Sequence, residues 1–432
     1  MRIRKVHYAW IVLTVSFIGV LAAQGVRLSF GAFIEPWEKE FSVSRGTISV
    51  ISFVSYIIFG ISQPLIGKLI DRFGIRKIFI YSMFIVGVST IGSFFATSVW
   101  QLLIIYGIVA SLGFGGASGL TASVAITKWF HTKRGFALGL VEAGFGAGQM
   151  ILVPSSILLI DIIGWKYTVM SLGIFLLLVI TPILLFLLRD EPSKMGLKAL
   201  GQQEIEEKGD VQSTVAKTIN RSVLTSREFW FLIIPFFICG FTTTGLMDTH
   251  LIPFTQNCGF SPTVISIAVS SLAAFNVIGT LISGVIADRY SNRLFLSLLY
   301  FVRALTIAFL LILSSNLQLL AIFLHYPILL YLFSFSFGLV DFATVAPTIK
   351  LISTYFEKQP IGLITGWLFF SHQIGSALGS YLPGLLFDWS RSYQLSFSIS
   401  IALLIIAGML SVFLPEAHIK KQNQLQKKMG SV

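Results

Sequence analysis

The residues able to do chemistry in this chain are few, and most stand inside stretches that are otherwise apolar. They are Arg27, Glu142, Asp248, His250, Asn276, Asp341, His372 and Gln373. A charge held at the centre of a bilayer costs at least ~2.5–3.5 kcal/mol on insertion scales, so each such residue is a candidate site. Arg27 keeps its proton and must find an anion or a dipole. A substrate carboxylate docked on its two-pronged guanidinium would supply one. Gln24, Gly25, Ser29 and Gly31 surround it with the small and polar side chains of a cavity wall. The plainer alternative is an interfacial arginine whose head snorkels to water.

Glu142 and Asp341 are carboxyl groups set about nine residues into apolar segments, where they suit proton exchange. Asp248 and His250 stand near the end of another, just before Pro253. An Arg27–Asp248 pair that opens when substrate arrives would be a gate. Asn276, His372 and Gln373 offer neutral donors and acceptors that would shape a binding pocket. Plain structural readings stand beside these: a rim ion pair, a glutamate held by a threonine or the backbone, a satisfied core histidine. Arg303 reads as a structural pairing and His325 as interfacial. The pairs Asp71–Arg72 and Asp288–Arg289, at the ends of apolar segments, read as gate charges rather than substrate contacts.

Composition narrows the function class. Of 432 residues 55% are hydrophobic and 12% charged, with a mean hydropathy of +0.84. Soluble chains carry about 25% charged residues, so a cytosolic enzyme, a disordered chain and a nucleic-acid binder are excluded. Cys239 and Cys258 lie roughly 28 Å apart along a continuous helix, too far for a disulfide. Gly113–Gly119 and Gly144–Gly148 resemble phosphate loops only superficially, since no lysine follows and no strand precedes. Gly144/Gly148 and Gly375/Gly379 have the spacing that lets helix backbones approach closely. Zinc spacings, a nucleophile elbow and a Walker motif are missing from the sequence. The chain therefore reads as neither an enzyme nor a metal or cofactor protein.

These residues must be positioned by membrane helices. A crossing needs about 20 apolar residues. Twelve segments qualify: 8–34, 46–67, 78–96, 101–127, 135–160, 165–188, 229–256, 262–287, 294–314, 318–348, 361–386 and 393–414. The expected architecture is all-α, with a bundle at 1–188, a polar linker at 189–228, a second bundle at 229–415 and a tail at 416–432. Of 31 Lys and Arg, 25 fall in the termini and loops on one side. Lys39, Arg45, Lys166 and Arg391 fall on the other, and Arg27 and Arg303 lie within segments. By the positive-inside rule both termini are cytoplasmic, in the cell membrane. The sequon Asn220-Arg221-Ser222 then faces the cytoplasm and reads as chance.

The two halves repeat weakly. Gly67-Lys-Leu-Ile-Asp71-Arg72-Phe-Gly-Ile-Arg-Lys77 follows the second segment, and Gly284-Val-Ile-Ala-Asp288-Arg289-Tyr-Ser-Asn-Arg293 follows the eighth. Trp129-Phe130 after the fourth matches Tyr355-Phe356 after the tenth. Parallel duplication of this kind relates two bundles by an axis along the membrane normal. The Gly67–Lys77 stretch resembles the loop signature of the major facilitator superfamily, departing from it at Ile75. Arg27–Glu35, Lys128–Gly135 and Gly139–Gly144 resemble the branch that holds monocarboxylate porters and oxalate:formate antiporters. That resemblance implies twelve helices in two six-helix bundles and transport of a small organic anion by alternating access. It also implies carboxylate binding at Arg27. The branch's cation in the eighth or eleventh helix is replaced here by Asn276 and Thr280, or by His372. The coupling is open between proton symport and anion exchange; the chain is expected to be monomeric. Two other functions are a drug/proton exporter, although 144–154 lacks the Gly-Pro-x-x-Gly-Gly of such exporters, and a membrane sensor without transport.

Overall fold

The computed structural model describes residues 7–201, 221–315, 321–322, 324–357, 359 and 361–415. The acidic run of the linker, Asn220 and the tail 416–432 lie outside the described residues. Ten helices among them are long and apolar enough to cross a membrane. One of these, Arg134–Leu187, has 54 residues, about 80 Å at 1.5 Å per residue, far more than the ~30 Å of a bilayer core. It breaks at Gly164, whose φ of 77° only glycine adopts freely, and so makes two crossings. Ile361–Ser390 is a further long helix.

Among the described residues each of the twelve expected segments contains a helix: α1 Tyr8–Phe41, α2 Arg45–Phe73, α3 Ile75–Phe94, α4 Val99–Trp129, α5 134–163, α6 165–187, α7 Arg227–Cys258, α8 Pro262–Arg289, α9 Asn292–Ser314, α10 Ile328–Tyr355, α11 Ile361–Ser390 and α12 Gln394–Val412. Boundaries differ from those read in the sequence by several residues, chiefly because the helices continue past the apolar stretch. α2, for example, ends at Gly74, whose φ of 89° stops it beyond Asp71 and Arg72.

Helices α1, α4 and α10 are interrupted, α1 and α10 beside candidate residues. α1 bends at Ser29, whose hydroxyl donates to Gly25 O at 2.9 Å and so competes with the helical ladder. α4 opens at Ala117, and the buried carbonyls of Phe114 and Ala117 accept from Gln24 Nε2. α10 unwinds over residues 341–344. Irregular backbone in a membrane must be satisfied by protein. The Arg303 guanidinium does so here, donating to Val340 O at 2.6 Å and to Asp341 O. Ser283 donates to Ala343 O, and Asn276 Oδ1 accepts from Phe342 N. The structural reading of Arg303 thus gains partners, among them backbone carbonyls and Cys239 Sγ.

The chain packs into two compact units. One takes α1–α6 with Asp248–Ala274 and Ser380–Arg391; the other takes the remaining parts of α7, α8 and α11 with α9, α10 and α12. The first has a continuous apolar core running from Ala9 to Leu188, with Trp37, Phe79, Phe114 and Trp129 at its centre. Glycine makes the tight approaches: a Cβ at Gly144 would meet Phe17 O at 3.0 Å, and one at Gly148 would meet Leu21 O and Gly25 N. In the second unit Gly375 and Gly379 press on the backbone of Phe237 and Phe241. Both small-residue pairs read in the sequence are therefore helix contacts.

Candidate functional site

The first unit brings Arg27, Gln149 and Asp248 together. Arg27 is only 7% exposed. Its guanidinium lies over the Phe59 ring at 3.8 Å and the Tyr56 ring at 4.9 Å, and the quadrupole of those faces attracts it. Nη1 donates to Gln24 Oε1 at 3.3 Å, while Nη2 is shielded from solvent and has no hydrogen-bond partner. Tyr106 fixes the helix itself by donating to Arg27 O at 2.9 Å. Arg27 is therefore walled in by protein.

Asp248 lies within electrostatic range of Arg27, but the expected direct ion pair is not formed among the described residues. Its Oδ1 is taken by Gln149 Nε2 at 2.8 Å, and its Oδ2 is shielded and unbonded. The aromatic stack holds the guanidinium on α2, and the amide of Gln149 claims the carboxylate for α5. His250, the other gating candidate of α7, is fully buried, with Nε2 at 2.7 Å from Ser380 O. That ties α7 to α11 rather than presenting a free imidazole.

Glu142 is exposed, with Oε1 accepting from Ser123 at 3.1 Å and the carboxylate seated on Gly119. It stands seven residues before Gln149. Seven residues turn a helix to within about 20° of the same face, so Glu142 lies on the stripe that carries Gln149, ~10.5 Å along the axis.

The second unit brings together Asn276 and Asp341, whose Oδ2 accepts from Asn276 Nδ2 at 3.0 Å. Thr280 donates to Asn276 Oδ1 at 3.3 Å. His372 is buried, its ring 5.0 Å from that of Phe236 and its Nδ1 3.4 Å from Ser376 Oγ. Gln373 Oε1 is shielded with no hydrogen-bond partner. Cys239 Sγ links these helices, 3.2 Å from Arg303 Nη1 and 3.3 Å from Thr344 Oγ1.

The gate charges read at the helix ends behave differently. Asp71 and Arg72 are exposed and make no ion pair among the described residues. Asp288 pairs with Lys350 at 2.7 Å, whereas Arg289 is exposed and makes no ion pair among the described residues. The charge cluster that does form lies at the other end of the helices and was not singled out in the sequence. Arg45, at the start of α2, grips Glu38 through Nε and Nη2 at 2.7 and 2.8 Å. Its guanidinium lies 4.1 Å over Phe387 and reaches Asn257 at 3.5 Å. Asp388 of α11 receives the backbone N–H of Arg45 and of Gly46, at 2.9 and 2.8 Å. A carboxylate at a helix N-terminus complements both the unpaired amides and the dipole. The signal available in the sequence was Glu38, Arg45 and Asp388 as charges beside the short polar turns after α1 and α11.

The sequence profile described as "Major Facilitator Superfamily" matches residues 15–344 and 252–431. The chain belongs to the major facilitator superfamily. It is 30% identical over 409 residues to the uncharacterized MFS-type transporter YcxA of Bacillus subtilis, covering 93% of this chain and 94% of that one. It is 26% identical over 305 residues to the oxalate:formate antiporter of Oxalobacter formigenes, covering 69% and 68%. The crystal structure of a D-xylose-proton symporter superposes with a TM-score of 0.73 at 16% identity, covering 95% of this chain and 99% of the other. The major facilitator fold expected from the sequence is thereby established. This is a multi-pass membrane transporter working by alternating access, and not an enzyme. The likeness to the branch holding the oxalate:formate antiporter holds over most of the chain.

Proposed function

We propose that this chain is a secondary carrier of a small organic anion of the monocarboxylate kind, and that Arg27 takes the carboxylate. One observation carries this reading: a buried guanidinium, stacked on Phe59, with Nη2 left unbonded. A buried charge is tolerated when it is paired and hydrogen-bonded, and a carboxylate bound there completes the shell. The relative that antiports oxalate and formate agrees with an anionic substrate.

In this reading residues 1–188 and 229–415 are two six-helix bundles joined by the linker 189–228. Both termini and the tail 416–432 face the cytoplasm, in the cell membrane, and the protein acts as a monomer. Asn276, His372 and Gln373 are the further substrate-binding residues of this reading. Glu142 or Asp341 carries the proton in symport, and anion exchange is the other mode of coupling. Gating falls to Asp248 and His250 at one end, and to Asp71, Arg72, Asp288 and Arg289 at the other. The test is uptake of labelled lactate, pyruvate, formate and oxalate into proteoliposomes, with and without an imposed pH gradient. Saturable uptake of at least one acid by the wild type, and its loss in Arg27→Ala, is the expected result. No uptake of any of them, or undiminished uptake by the variant, overturns the reading.

A further inference from the structure

The unsatisfied atoms around Arg27 carry a sign. Gln149 donates from Nε2 to Asp248 Oδ1, and a carboxylate only accepts. The amide orientation is therefore fixed, and Oε1 is left as an acceptor. Gln149 Oε1 and Asp248 Oδ2 are both shielded and both lack a donor, while Arg27 Nη2 lacks an acceptor. These atoms belong to one place. Arg27 and Asp248 interact electrostatically. Gly31, one turn after Arg27, packs on the carbonyls of Asp248 and Thr249 at 3.0 and 2.8 Å from its would-be Cβ. Gly25, two residues before Arg27, packs on Gly148 O at 2.8 Å, beside Gln149.

A bare carboxylate would satisfy Arg27 and leave both acceptors buried and unpaired, which is penalised. We infer that the substrate carries a hydrogen-bond donor beside its carboxylate, a hydroxyl or an ammonium group, and that Gln149 and Asp248 select for it. This deepens the proposal above and rests on Arg27 as the carboxylate anchor. A site built to bond a substrate O–H or N–H rejects the analogue that lacks it far more strongly than a missing methylene is rejected.

The test uses four three-carbon acids with the full-length protein in proteoliposomes: propionate without a polar substituent, pyruvate with an acceptor, lactate with a hydroxyl donor, and alanine with an ammonium donor. Lactate or alanine is expected to exceed both propionate and pyruvate in kcat/KM by about tenfold or more, a difference of ~1.4 kcal/mol. Whichever leads identifies the donor as hydroxyl or ammonium. In Asp248→Asn, Gln149 Nε2 keeps its acceptor, and the group at the Oδ2 position becomes a donor. The preference should then turn toward pyruvate. Equal handling of all four acids by the wild type overturns the inference and leaves the anion-carrier reading standing. Movement of none of them overturns the inference, and the anion-carrier reading falls with it only where formate and oxalate are not moved either. An Asp248→Asn protein with the wild-type preference removes Asp248 from the selection. The wild-type panel decides the inference even where the variant does not fold.

Discussion

Replacing Asp388 by asparagine tests how the charge-poor ends of the helices are held together. Asp388 accepts two backbone N–H groups from the first turn of α2, those of Arg45 and Gly46. Asparagine keeps one acceptor and turns an N–H toward the other amide. The loss is one charge-assisted hydrogen bond, about 1.5–3 kcal/mol. The charge facing the helix N-terminus adds ~0.3–1 kcal/mol. Together, about 2–4 kcal/mol corresponds to a ~30- to 1000-fold shift toward separated ends. Ser49 reports on this, because it is fully buried and its hydroxyl lies against Gly384 of α11. Ser49→Cys, in a chain with Cys258 replaced by serine, would be labelled with a water-soluble maleimide in detergent, and the peptides resolved by mass spectrometry. Asp388→Asn should speed that labelling by more than tenfold. Asp288→Asn serves as a control, since the Asp288–Lys350 pair is exposed and such pairs contribute ~1 kcal/mol or less. Equal labelling rates with and without Asp388→Asn would refute the reasoning.

Three further outcomes follow from the same contacts. Arg303→Leu strips donors from Val340 O, Asp341 O and Cys239 at the α10 break; it should cost about 3 kcal/mol or more, read as a lower thermal-unfolding midpoint in detergent. Gly148→Leu drives a side chain into Leu21 and Gly25 and should lower that midpoint, whereas Gly139→Leu, with nothing within 4 Å of its would-be Cβ, should leave it unchanged. Glu142→Gln keeps the contact with Ser123 but cannot carry a proton; uptake driven by a pH gradient should fall while substrate exchange persists, and undiminished gradient-driven uptake would exclude Glu142 as the proton carrier.

Much of the fold was legible because crossing a bilayer demands some twenty apolar residues in a row, a constraint visible in composition alone. Each of the twelve segments contains a helix among the described residues, and even the long Arg134–Leu187 helix breaks where the sequence places Gly164. The candidate residues were legible for the related reason that polar groups in apolar segments are costly and few. Arg27, Asp248, Asn276 and Asp341 stood out in this way, and each now has its neighbours. Partner choice was not legible. Arg27 and Asp248 carry opposite charges and face one region, yet aromatic faces hold the first and Gln149 the second. Periodicity does not reveal that a glutamine on α5 reaches the carboxylate before an arginine on α1 does. The link from Arg45 to Asp388 was missed because its bonds run from backbone N–H groups, which every residue has, across 343 positions of sequence.

The central claim is that the buried Arg27 guanidinium anchors an anionic substrate, and equilibrium binding of transported acid to Arg27→Gln protein tests it directly. Loss of a charge-assisted anchor worth about 2–4 kcal/mol predicts affinity reduced by ~30- to 1000-fold, with the thermal-unfolding midpoint of the unliganded protein kept. Wild-type affinity in that variant would contradict the account.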